Sequence, residues 1–271
     1  MPEARAFSDS VGCLVIKPDC VLRGLVRATL CELIKEKFEV LAFRIGRMPA
    51  ALLFQMNGAS GRVEVDDWRF NARLHEFGPS ICLLLRSNTI SCSEVQANAQ
   101  ARLRSLKGGA LPTNFGLDTL RTKVGALNRV FNLLHCPDTP TEAIETLAVW
   151  MPGAIDQFFI SSKATKSVTE EIECHGYLGE YLDPAALVVP LHMRLQHAAT
   201  WRKLDNALVR QAEAILERVA SGEEIAVGGH SFLMGIFEIA GVFVSALESY
   251  VLETAQRYPV CRLPLDSVAL D

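Results

Sequence analysis

Two kinds of apolar pattern alternate in the first half of the chain, and one kind fills the second. Val11–Ile16 reads Val-Gly-Cys-Leu-Val-Ile. A short continuous run rich in branched residues predicts a strand buried on both faces. It stops at Lys17-Pro18-Asp19, because proline has no N–H to give to a ladder. Apolar residues at 22, 25, 26, 30, 33, 34 and 38 then follow helical spacing, which predicts a helix over Leu22–Phe38. Glu39–Arg44 is strand-like again. Asp66–Phe77 reads as a short helix, Pro79–Leu85 as a central strand, and Ser93–Leu106, free of Gly and Pro, as a helix. Lys107–Gly116 is a Gly/Pro/Asn-rich loop. Thr119–Val130 is weakly helical, and Val130–Leu134 is a short apolar strand. Thr139-Pro140-Thr141-Glu142 has the composition of a helix start, and the helix runs to Trp150. Met48–Arg62 carries no clear pattern.

After Met151 the texture changes. Ser161–Thr169 is polar and reads as a linker. Residues 186–220 and 223–257 carry two long helical patterns, the first closing at Ser221-Gly222. Phe232–Val251 is apolar nearly all round, which predicts a single buried helix. The division expected is therefore an α/β domain over 1–155 and a helical C-terminal region over 165–271.

Composition narrows the function more than the fold. The chain has 271 residues, 49% of them hydrophobic, with 31 acids against 27 bases. There is ample apolar material for a core, so disorder is excluded as a global description. A net charge of −4 offers no broad basic surface for nucleic acid. The longest apolar stretch, Ser231–Leu247, is broken by Glu238 and sits at the short limit for a membrane span, so no membrane partner is expected. The eight cysteines are scattered singly, without a Cys-x-x-Cys pair, which argues for reduced intracellular thiols and against a zinc ribbon. The leading residues have no apolar core of a secretory signal. His175, His192, His197 and His230 lack metal-ligand spacing, and no metal site is expected.

The chemistry points to His135. It follows a short apolar strand and precedes a helix N-terminus, where N–H groups and partial positive charge suit a phosphate. A neutral imidazole is a competent nucleophile. Asn132 can offer an amide to a nucleotide sugar. Lys17, Arg104 and Arg121 are cations at the edges of predicted elements, the kind of fixed donors that phosphoryl transfer requires. Neither a Walker loop nor a Gly-x-Ser-x-Gly elbow occurs.

These residues also carry a resemblance. Ile16-Lys17-Pro18-Asp19 with Val21-x-Arg23-Gly24-Leu25, then Gly78-Pro79, then Asn132-Leu133-Leu134-His135-Cys136-Pro137-Asp138 are similar, in order, to the motifs of nucleoside diphosphate kinases over residues about 11–152. The resemblance implies an α+β fold, a ferredoxin-like α/β sandwich with an antiparallel four-stranded sheet. It implies a ping-pong transfer from ATP or another nucleoside triphosphate, as its Mg2+ complex, to a nucleoside diphosphate. His135 would be the phosphorylated nucleophile. Lys17 and Asn132 would hold ribose and phosphate, and Arg104 and Arg121 the phosphates. Trp68, or Phe70, would serve as the platform under the base, and Glu145 would orient His135.

The chain departs from the family at several of these positions. Ala110 stands where the family has a phosphate-binding Thr, with Thr113 nearby. Cys20 replaces a Gly, which would add strain if that position needs a positive φ. Cys136 and Pro137 replace Gly and Ser after the histidine, and proline removes a backbone donor. Thr146 falls nearest the place of the orienting carboxylate. The alternative function is thus a weakly catalytic or inactive kinase-like module in a protein assembly. Divergent copies of such domains are typical of ciliary and flagellar axonemes, among microtubules. The expected setting is cytoplasmic or axonemal, with further protein contacts made through the C-terminal helices.

Overall fold

The computed structural model describes residues 10–48, 53, 65–88, 98–111, 115–152 and 183–258, with the backbone alone at 65–68. The expected linker at Ser161–Thr169 and most of Met48–Arg62 lie outside the described residues. Two compact units emerge. One takes in the described residues of Met1–Ala126 and Phe131–Gly179, and the other those of Leu127–Val130 and Glu180–Asp271. The short piece Leu127–Val130, which sequence places inside the α/β half, thus groups with the helices.

The α/β unit is built on four strands: β1 (Val11–Ile16), β2 (Phe38–Gly46), β3 (Ser80–Ser87) and β4 (Leu134–His135). Their order is β2-β3-β1-β4, and every pairing is antiparallel. This is the ferredoxin-like arrangement. All six residues of β1 are buried, as its unbroken apolar run requires. Its alternate side chains feed two cores. Leu14 and Ile16 pack with Ile81, Leu83 and Leu85 beneath the helices α2 (Val26–Lys35) and α4 (Ala99–Lys107). Val11, Cys13 and Val15 pack with Cys82 and Leu84 against Leu147 and Trp150 of α6 (Pro140–Trp150). Each fully buried Leu or Ile contributes roughly 1.5–3 kcal/mol, so the two-sided sheet is the stable platform. In β2, one extra residue between Val40 and Ala42 shifts the register.

Several predicted boundaries move, each for a local reason. The helix expected over Leu22–Phe38 is split into α1 (Pro18–Leu22) and α2, because Gly24 turns left-handed at φ +69 between them. Cys20 lies within α1, outside the left-handed region, so the strain considered for it does not arise. The helix expected over Thr119–Val130 is only α5 (Leu120–Val124), closed by left-handed Gly125. The helix α3 (Val65–Phe77) and α6 form as expected, and Thr139 caps α6 by accepting from the Glu142 N–H. Of the strand expected over Val130–Leu134 only Leu134 falls in β4, which runs on to His135, since Leu133 holds a positive φ of 67 just before it.

The helical unit contains α7 (Pro184–Arg202), α8 (Asn206–Ser221), α9 (Gly229–Ala240) and α10 (Ala246–Arg257). Asp183 and Asp205 cap α7 and α8, and a Ser245–Glu248 capping box starts α10. Leu191 and Leu195, Ala212 and Leu216, Leu233 and Phe237, and Tyr250 and Val251 form the buried faces. The single helix expected over Phe232–Val251 is corrected to two. Left-handed Gly241 ends α9, and Ile239 and Phe243 stand out at 60% and 77% exposure. Asn128 Nδ2 donates to the Tyr258 carbonyl at 3.0 Å, which fixes the Leu127–Val130 piece to the end of α10.

Candidate functional site

The site lies where β1 ends beside the start of β4, Ile16 standing opposite Leu134, at one edge of the sheet. The chain leaves β1 through Lys17, whose backbone N–H donates to the Leu133 carbonyl at 2.8 Å. The Lys17 side chain is buried, and its ammonium donates to Asn132 Oδ1 at 3.0 Å and Asn71 Oδ1 at 3.2 Å. Two residues on, Asp19 is fully buried. Its Oδ2 accepts from the Leu133 N–H at 2.8 Å, and its Oδ1 has no partner. That bond holds Leu133 in its left-handed conformation, an uncommon state for a branched side chain. The turn so fixed presents Asn132 on one side and His135 on the other.

Arg121 welds this turn to a second one. Its Nε donates to the Asn132 carbonyl at 2.9 Å and one terminal nitrogen to the Leu134 carbonyl at 2.6 Å. The other terminal nitrogen donates to the carbonyls of Gly108, at 3.1 Å, and Gly109. The guanidinium therefore offers a ligand its charge more than its hydrogen bonds. Gly108 permits this closeness. At φ +87, a Cβ there would run into the Phe115 carbonyl and lie 2.6 Å from Thr119 Oγ1.

The electrostatics of the cluster are one-sided. Burial is the largest cause of every shift in it. Burial lowers Lys17 to about 8, with Asp19 opposing and Arg121 and Lys107 assisting. It lowers Lys107 to about 8 and Arg121 to about 10. His135 is pushed well below its usual value by burial and then by the charges of Lys107, Arg121 and Lys17, so its imidazole is neutral at physiological pH. His75 is buried behind the site, with Nδ1 3.0 Å from Ser80 Oγ, and is lowered to about 3.

The segment after His135 is held by Gln100, a fully buried residue of α4. Its Oε1 accepts from the Cys13 N–H at 2.7 Å, and its Nε2 reaches the Cys13 carbonyl at 3.3 Å. The same Nε2 donates to the Pro137 carbonyl at 2.7 Å and to Cys136 Sγ at 3.0 Å. Where β4 stops, the side-chain amide takes the place of the next strand residue.

The structure thus brings together Lys17, Arg121, Asn132 and His135. Arg104 stands at the rim, exposed and paired through Nε to Asp138 Oδ1 at 3.1 Å. Glu145 is exposed on α6 and makes no bond to His135, because the inward face of that helix is Ala143, Thr146, Leu147 and Trp150. The N-terminus of α6 is closed by its own side chains. Asp138 N–H donates to Glu142 Oε2 at 2.8 Å, and Pro140 has no N–H. The backbone of Trp68 lies in α3, but its side chain is outside the described residues, as is Thr113. Phe70 is half-buried on α3, and Ala110 is exposed. Sequence reasoning missed Lys107, Asp19, Gln100 and His75. Asp19 was visible within the Lys-Pro-Asp motif, and Gln100 and Lys107 lie seven residues apart on one helical face.

A cavity of about 730 Å³ opens beside the cluster, lined by Arg104, Lys107, Gly108, Phe115, Thr119 and Asp138 among others. Among the described residues no group of His, Cys, Asp or Glu could hold a metal ion, and no helix is long and apolar enough to cross a membrane.

No family model matches the chain. A nucleoside diphosphate kinase of Mycolicibacterium vanbaalenii is 28% identical over 144 residues, which are 52% of this chain and 95% of that protein. Among solved structures, the nucleoside diphosphate kinase of Aquifex aeolicus covers 56% of this chain and 96% of its own, with 17% identity and a TM-score of 0.41. That of Encephalitozoon cuniculi, in an apo cubic form, covers 60% and 97%, with 13% identity and a TM-score of 0.45. Over about half of its length this chain is nucleoside diphosphate kinase-like, and divergent.

Proposed function

We propose that the chain transfers phosphoryl groups between nucleotides through a phosphohistidine at His135. The observation that supports this reading best is the charge imbalance at the site. Lys17, Lys107 and Arg121 crowd a neutral imidazole, and the one fully buried acid near them, Asp19, supplies a single negative charge against three positive ones. Burying cations is costly unless an anion joins them, and a triphosphate supplies that anion. In the forward half-reaction a His135 ring nitrogen attacks the γ-phosphorus. The N–P bond forms, the bond to the bridging oxygen breaks, and the nucleoside diphosphate leaves with the electron pair. A second nucleoside diphosphate reverses the step through its terminal oxygen. Lys17 and Asn132 contact the nucleotide, and the charges of Lys17 and Arg121 meet the developing negative charge. Mg2+ arrives as part of the nucleotide complex.

The test is incubation with γ-labelled ATP and Mg2+ beside His135→Ala. Acid-labile label is expected on the wild type alone, transferable to GDP. Labelling holds from pH 8 down to pH 6, because His135 stays neutral there. It falls above about pH 8 as Lys17 and Lys107, both lowered to about 8, lose their protons. Label that survives His135→Ala would overturn the reading.

A second reading has specific support. Pro137 offers no N–H, that of Asp138 is taken by Glu142, Ala110 has no hydroxyl, and among the described residues no carboxylate bonds His135. Each lost donor of this kind costs about 10²–10³ in rate. The chain would then bind nucleotide with little turnover and serve an assembly, such as an axoneme. Nucleotide-dependent thermal stabilisation without label is the outcome it requires.

A further inference from the structure

Helix α4 contributes a residue to the site that neither its motifs nor its departures assign. Lys107 is the last residue of α4, one turn beyond Leu103 and two beyond Gln100 on the inward face. It lines the 730 Å³ cavity. A lysine in the last turn of a helix ordinarily satisfies the terminal carbonyls. Here the carbonyls of Gly108 and Gly109 go to Arg121, and among the described residues Lys107 makes no hydrogen bond or ion pair. The groups facing it are mostly cationic or neutral: Arg121, Arg104 and Lys17, with His135 and the Cys136 thiol. The one acid nearby, Asp138, is paired with Arg104 at 3.1 Å. An ammonium half-removed from water and set among cations is unstable as a resting arrangement unless an anion enters.

We propose that Lys107 is a direct ligand of the phosphate chain of a nucleotide seated in this cavity, supplying the donor that Ala110 and Pro137 do not. This rests on the nucleotide reading above and adds a contact to it. The geometry is suited to the role. Lys107 lines the cavity together with Gly108 and Gly109, and α4 is pinned to β1 by Gln100, so the lysine is held in place from its own helix.

The experiment is calorimetric titration of the full chain with ADP, pyrophosphate and adenosine, for wild type, Lys107→Met and Lys107→Arg. Lys107→Met is expected to weaken ADP and pyrophosphate about tenfold, to leave adenosine unchanged, and to melt at or above the wild-type temperature, because it removes a charge from a cationic site. Lys107→Arg restores most of the affinity. ADP binding unchanged in Lys107→Met overturns the proposal and leaves the nucleotide reading standing. Pyrophosphate binding that depends on Lys107, with ADP not bound, keeps the phosphate contact and overturns the nucleotide reading. Binding of none of the three by the wild type overturns both.

Discussion

The two units bury different things. Among the described residues, the α/β unit sequesters Lys17, Asp19, His75 and Arg121, together with Gln100 and Asn132. Among its own described residues the helical unit buries no acid, histidine, lysine or arginine. Its buried polar side chains are Asn128 and Thr254, each bonded to a backbone carbonyl. A core needs only the second kind of interior. Removing charge from water costs several kcal/mol per ion even after relaxation, so three such ions in one unit, Lys17, Asp19 and Arg121, require an explanation beyond folding. The contrast separates a half with an ionic interior, where the proposed chemistry would lie, from a half organised around packing.

The largest expected effect on this contrast comes from Arg121. Arg121→Met leaves four backbone carbonyls without their donor and is expected to cost about 3–5 kcal/mol, read from a urea midpoint. The matching change in the helical unit, Arg194→Met, removes bonds to the Phe243 carbonyl and Glu248 from a side chain 35% exposed, and costs about 1 kcal/mol or less. Equal losses would erase the distinction. Acid should divide the units next. His75 has a folded value near 3 against an ordinary 6.5, so below pH 6.5 the unfolded chain takes up a proton that the folded one refuses. His75 alone accounts for a loss of about 2 kcal/mol at pH 5 as pH falls from 6.5 toward 3, and His75→Gln removes that part of the slope while the part due to His135 remains. Amide exchange should show the loss in β3 and α3; a loss confined to α7 and α8 would contradict the assignment. The smallest effect is a control. Ser245→Ala breaks the capping box of α10 and costs about 1 kcal/mol in the helical unit, without changing ADP affinity.

The sequence was legible where one signal dominated. The unbroken apolar run of β1 and the Thr139-Pro140 start of α6 read correctly because burial on two faces and a capped first turn have unmistakable patterns. The reading failed at glycines that change the chain's direction. Gly24, Gly125 and Gly241 each end a helix by turning left-handed, yet each lies inside a stretch whose apolar spacing continues past it. At the site, His135, Lys17, Asn132 and Arg121 were visible through motif order. Lys107 was not, because it stands next to two glycines and was counted with the loop. Glu145 differs. The resemblance suggested it as the partner of His135, and the helix turns that carboxylate to solvent.

Gln100 makes the sheet depend on a side chain. The amide hydrogen of Cys13 is held by a residue of α4, not by a neighbouring strand. Its exchange with deuterium therefore reports the docking of α4 onto β1, independently of fraying in the ladder that β1 forms with β3. One backbone proton becomes a clock for the moment at which the segment carrying His135 is fastened, and a substitution such as Gln100→Leu would set that clock running fast while the β3 side of β1 stayed protected.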